Sequence, residues 1–79
     1  MSISIASWNI NSIRLRQNSV RKFLKTANPD ILCLQETKCI DELLPLSVFE
    51  KLGYQYAASR GQKSYNGVLT LSKREIKKI

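Results

Sequence analysis

The chain contains no histidine. Within these 79 residues that absence excludes histidine-based general acid–base work, serine–histidine or cysteine–histidine couples, and the histidine ligands common in zinc sites. Acidic residues are scarce as well: six Asp and Glu in all, with no Asp after Asp41. The two cysteines, Cys33 and Cys39, are not spaced as a zinc signature and have no other soft ligands beside them. A disulfide between them would close only a short loop across a strand end. Both are therefore read as reduced thiols, and a cytoplasmic location is expected. The opening "MSISIASWNI" has no basic n-region and no long apolar stretch, so it does not read as a signal peptide. No apolar run approaches the ~18 residues of a membrane span, and no membrane partner is expected.

What is present is positive charge. Thirteen Lys and Arg against six Asp and Glu give a formal charge of +7. On so short a chain this favours a polyanionic partner, although a merely solubilising surface accounts for it equally well. The hydrophobic fraction, 43%, is that of a globular chain rather than a disordered one. The length suits one small domain, with no internal boundary, repeat or low-complexity segment.

Residues 3–10, "ISIASWNI", alternate and are rich in β-formers. Apolar groups on both faces predict a central strand. After the loop "NSIR", Val20, Phe23, Leu24 and Ala27 recur at helical spacing, with Arg16, Arg21, Lys22 and Lys25 on the polar face. "ANPD" ends that helix, because a residue before proline is biased away from helical angles. A second strand is predicted over 31–35. Strand, helix and strand argue for parallel pairing. A second helix is predicted over 42–52, with Val48, Phe49 and Leu52 inward, Pro45 near the first turn and Gly53 at C′. "YQYAAS" and "VLTLS" read as further strands around the basic loop "RGQKSYNG"; "KREIKKI" is a charged tail.

Asn9 and Asn11 follow the first strand, and Glu36 follows the second. Parallel strands bring all three to one sheet edge, where open α/β sheets bind ligands. A carboxylate and two carboxamides are hard oxygen donors, suited to Mg²⁺ or Mn²⁺. The alternative is that both asparagines are turn residues and that Glu36 pairs with Lys38. In the basic loop, Arg60 and Lys63 supply cations and Tyr65 an aromatic face, a combination suited to phosphate and to stacking on a base or sugar. Tyr65 read by itself also suits a cap on the core. Trp8 reads as core packing, and the basic helix face as solvated.

Taken together, "SWNINSIR", "PDILCLQETK", "LGYQYAAS" and "GQKSYNGVLTLSK", in this order, resemble the N-terminal part of the exodeoxyribonuclease III family of apurinic/apyrimidinic (AP) endonucleases. That family sits in the endonuclease/exonuclease/phosphatase superfamily. The likeness covers the chain to about Lys73. It implies an α/β fold: the N-terminal portion of a four-layered sandwich, with one sheet and its helices here and the second sheet missing. Residues 1–79 would be a partial domain, truncated after about the fourth strand. The resemblance assigns Glu36 and Asn9 to the metal site, with Asn11 and Lys38 supporting them. It assigns Arg14, Lys63 and Tyr65 to DNA contact. It implies Mg²⁺ or Mn²⁺ as cofactor. The implied partners are DNA, abasic duplex above all, and the missing C-terminal portion.

The sequence also departs from the family. An Asp-x-Asn element, a catalytic tyrosine and a C-terminal Asp-His pair do not occur in it, so an incomplete and inactive catalytic set is expected. Ser12 replaces the usual glycine, Leu69 replaces a smaller residue, and "REIKKI" has no counterpart. A small DNA-binding module without catalysis is the alternative function. A branch acting on phospholipid or inositol phosphate fits the "WNIN…IR" pattern less well.

Overall fold

In the structure, a computed structural model, residues 3–60 and 67–75 are described. Four short strands form one sheet: β1 (Ile5–Asn9), β2 (Ile31–Gln35), β3 (Tyr56–Arg60) and β4 (Val68–Ser72). Their order is β1-β2-β4-β3. β1 and β2 are parallel, as the strand–helix–strand pattern predicts, with Ile5 opposite Ile31 and Asn9 opposite Gln35. β4 runs antiparallel to both β2 and β3. The result is a mixed α/β sheet.

Directly paired residues share a face, so the register divides the sheet cleanly. Leu32, Leu34, Leu69 and Leu71 lie on one face and are buried. Ala6 and Trp8 extend that face onto β1. The helices cover this side. Full burial of each such leucine contributes roughly 1.5–3 kcal/mol. The other face carries Ile5, Ser7, Asn9, Ile31, Cys33, Gln35, Val68 and Thr70. Ile5 is 66% exposed and Val68 50%. Both cysteines are free thiols.

One expectation for β1 fails. Among the described strands it pairs only with β2 and lies at the sheet edge, not at its centre. The apolar Ile3 and Ile5 that suggested burial on both faces lie on the open side. Trp8 does pack inward, edge-to-face on Phe23 with ring centroids 5.7 Å apart.

Helix α1 spans Gln17–Ala27 and buries Val20 and Leu24. It stops where Asn28 turns left-handed, φ 50, ahead of Pro29. The predicted helix over 42–52 is interrupted. A single 3-10 turn occupies Asp41–Leu43, and α2 occupies only Leu46–Glu50. Pro45 explains the break: its ring disfavours helical angles at the preceding residue, and Leu44 is extended at φ −67, ψ 132. The exit is as predicted. Gly53 takes φ 100, its N–H reaches the Glu50 carbonyl and the Tyr54 N–H reaches that of Phe49. That is a Schellman closure, with buried Phe49 and Tyr54 as its apolar contact.

The amino ends of β1 and β2 are tied separately. The Asp30 carboxylate accepts from the Ser4 N–H at 2.9 Å and from the Ser4 hydroxyl at 3.2 Å. Tyr54 donates its hydroxyl to the Pro29 carbonyl at 2.6 Å, and the Lys73 ammonium lies 5.4 Å from its ring centre. Lys73 also donates to the Asn28 side chain. No described helix is long and apolar enough to cross a membrane.

Candidate functional site

At the carboxyl ends of β1 and β2 the two chains stay together after the ladder stops. The Ile10 N–H donates to the Gln35 carbonyl at 3.0 Å, Ser12 to Glu36 at 2.9 Å, and Ile13 to Thr37 at 3.0 Å. These bonds hold two turns, residues 10–13 and 36–38, side by side.

The backbone there is strained. Asn11, Ser12, Glu36 and Lys38 all have positive φ, at 48, 91, 53 and 52. Among the described residues they are four of the five non-glycine residues in that region, the fifth being Asn28 after α1. Each such residue costs about 1 kcal/mol or more. Strain concentrated on two adjacent turns requires the surroundings to hold it, and those surroundings are identifiable. Thr37 and Cys39 are each 1% exposed, while Glu36 and Lys38 between and beside them are half-buried. The alternation anchors every second residue in the core and turns the polar ones outward. The Thr37 N–H donates to the Gly67 carbonyl at 3.1 Å, tying the turn to the start of β4. Gly67 sits at φ 112, where a side chain is disfavoured.

This geometry joins four of the residues singled out in the sequence. In a regular continuation of β2, Glu36 would point away from the face of Asn9, because Asn9 is level with Gln35. The left-handed turn at Glu36 changes that, and the Asn9 carboxamide donates to the Glu36 carboxylate. Lys38 does not turn to Glu36; its ammonium donates to the Asn11 side-chain oxygen. One side-chain bond therefore ties the end of β1 to the second turn, and the other joins the two turns. Gln35 adds a third link beneath them, donating to the Ser7 hydroxyl at 2.9 Å.

Arg14 is exposed on the same connection. Arg16 is the residue before α1, and its Nε donates to the Ile10 carbonyl at 3.2 Å. That bond gives it a role in holding the turn that the sequence pattern did not suggest. Thr37 was also missed. Its only signal was its place between Glu36 and Lys38 in an alternating run. It is buried, and its hydroxyl has no hydrogen-bond partner among the described residues. Lys63 and Tyr65 lie outside the described residues.

The donor set fits a hard divalent cation. Mg²⁺ takes one or two carboxylates and completes its shell with water and phosphate oxygen. Glu36 supplies the carboxylate. The Asn9 amide N–H₂ faces Glu36, which leaves its carbonyl oxygen without that engagement. The described residues contain no cluster of three His, Cys, Asp or Glu that would make a closed protein cage.

An α/β domain with oxygen donors and a lysine gathered at the carboxyl edge of parallel strands is the class this arrangement defines. The chain belongs to the Endonuclease/Exonuclease/phosphatase family, whose model matches residues 6–79. Exodeoxyribonuclease III of Haemophilus influenzae is 40% identical over 73 residues, covering 92% of this chain and 27% of the relative. An AP endonuclease from Archaeoglobus fulgidus superposes with a TM-score of 0.88 at 42% identity, covering 94% of this chain and 28% of that one. A 3′ phosphatase from Neisseria, solved with a product DNA hairpin, superposes at 0.86 with 36% identity, covering 91% and 28%. The chain thus spans little more than a quarter of these relatives.

Proposed function

We propose that this chain forms the metal-binding and phosphate-facing part of a DNA-repair nuclease. The whole reaction is hydrolysis of the phosphodiester 5′ to an abasic site and removal of nucleotides from 3′ ends. The observation that carries the reading is the cross-linked quartet, with Asn9 on Glu36 and Asn11 on Lys38. A quartet fixed on strand ends positions groups more tightly than a free loop does. The relatives are an exodeoxyribonuclease, an AP endonuclease and a 3′ phosphatase, the last solved with a product DNA hairpin.

Glu36 and Asn9 would hold Mg²⁺ or Mn²⁺. Such an ion polarises a phosphate oxygen and lowers the pKa of a bound water. Asn9 orients the Glu36 carboxylate by donating to it. Lys38 fixes Asn11 by the same means and adds positive charge beside the phosphate position. Arg14, Lys63 and Tyr65 make the DNA contacts. Hydrolysis also needs a group that takes a proton from water and one that protonates the leaving oxygen. The quartet holds one carboxylate, and these 79 residues hold no histidine. We therefore assign binding to this chain and assign proton transfer to groups that these 79 residues do not supply.

The test is duplex DNA carrying one abasic site, with Mg²⁺ present. The chain should bind it with a steep salt dependence and should not incise it. Turnover that disappears in Glu36→Ala would contradict the assignment of proton transfer elsewhere. Absence of binding at low salt would remove the DNA reading itself. A DNA-binding module without catalysis is the second reading; it is favoured by the charge of +7 and is distinguished by binding that ignores Mg²⁺ and Glu36.

A further inference from the structure

We infer that Leu15 is an apolar DNA contact, packing on the sugar and base edges of the groove beside the phosphate that the quartet faces. The inference rests on the nucleic-acid reading above. Leu15 is 84% exposed, above every other large apolar residue on the described surface. One exposed leucine is ordinary. Its setting is not.

Leu15 stands between Arg14 and Arg16, both exposed. It belongs to a turn fixed at several points. Ile13, two residues earlier, is fully buried and bonded to Thr37. The Arg16 N–H donates to the Ser12 carbonyl at 3.2 Å, and its Nε to Ile10. The Leu15 N–H points at the Ser12 hydroxyl at 3.5 Å. Ser12 in turn donates to Glu36. An apolar side chain is thus presented outward, between two cations, on a braced turn one bond from the candidate site.

The charge pattern selects the partner. An apolar prong flanked by guanidinium groups suits a surface that alternates phosphates with apolar sugar and base edges. Duplex grooves offer that alternation, and proteins place leucine and similar side chains in them. A purely hydrophobic protein groove would leave both arginines to be desolvated without a partner.

The test measures affinity of the 79-residue chain for a fluorescent duplex across a salt series. Leu15→Ala should weaken binding roughly tenfold and leave the slope of log affinity against log salt unchanged, because no phosphate contact is lost. Leu15→Met should bind like the parent. Arg14→Ala should reduce the slope by about 1. Unchanged affinity in Leu15→Ala, with the parent still bound to DNA, overturns the inference and spares the functional reading. A reduced slope in Leu15→Ala also overturns it, since the residue would then act by placing an arginine. No parent binding at low salt overturns both. Leu15 is exposed, so Leu15→Ala should melt as the parent does.

Discussion

Asn9 and Glu36 lie 27 positions apart in sequence, and the carboxamide of one donates to the carboxylate of the other. In the proposed site Asn9 both offers its carbonyl oxygen to the cation and orients the Glu36 carboxylate. Partners that orient metal ligands are typically worth 10–100-fold in metal affinity. Asn9→Ala should therefore weaken Mn²⁺ binding by about tenfold, whereas Glu36→Gln should remove it. Titration followed by the electron paramagnetic resonance of free Mn²⁺ reads both variants. Equal effects would mean that the Asn9 carboxamide matters to the ion as much as the Glu36 carboxylate does.

Ser12 occupies a position that calls for glycine. Its φ of 91 is poorly tolerated by a side chain. Its hydroxyl gains only a long contact, 3.5 Å from the Leu15 nitrogen. Ser12→Gly should stabilise the fold by about 0.5–1 kcal/mol. For a domain of this size that raises the melting temperature by several degrees. Thermal unfolding followed by circular dichroism checks it.

Much of this was legible in the sequence. The apolar run placed β2 at residues 31–35, and helical spacing picked out Val20 and Leu24, the buried residues of α1, whereas Ala27 at the same spacing is exposed. Residue chemistry and parallel pairing placed Asn9, Asn11 and Glu36 at one edge. Three features were not legible. The break at Leu44–Pro45 was hidden because proline also suits a helix's first turn, and apolar spacing alone does not choose between the two. The edge position of β1 was hidden because apolar residues on two faces report burial potential, not the presence of a neighbour. The left-handed turn at Glu36 was hidden because neither Glu nor Lys signals positive φ. That turn is the feature that brings Glu36 to Asn9.

Tyr54 is the buried polar joint between the end of α1 and the entry to β3. Tyr54→Phe removes its bond to the Pro29 carbonyl and leaves that acceptor short of a partner. The expected loss is about 1–3 kcal/mol in urea unfolding. Burial raises the Tyr54 hydroxyl pKa, with the Asp30 charge adding to the shift. A raised folded value favours the folded state fully below the unfolded value, near 10, and the benefit fades as pH rises through the folded value. The parent should lose stability on that alkaline limb, and Tyr54→Phe should lose less over the same range.

Asp30 works at the opposite end of the pH scale. The Ser4 backbone N–H holds its carboxyl below the usual carboxylate range, burial opposes that, and the Ser4 hydroxyl, Arg74 and Lys73 assist it. A lowered folded value stabilises above the unfolded value, and the benefit disappears as pH falls through the folded one. Urea midpoints should fall on that acid limb in the parent and fall less in Asp30→Asn. An identical acid limb in both would show that the Ser4 clasp contributes nothing to folding.

The two strained turns are proposed to form one cation site through Glu36. The most direct measurement is paramagnetic broadening of backbone amide signals by substoichiometric Mn²⁺. Broadening should centre on Asn9, Asn11, Glu36 and Lys38 and should vanish in Glu36→Gln. Broadening centred on Asp30, Asp41 or Glu50, or a pattern unchanged in Glu36→Gln, would contradict it.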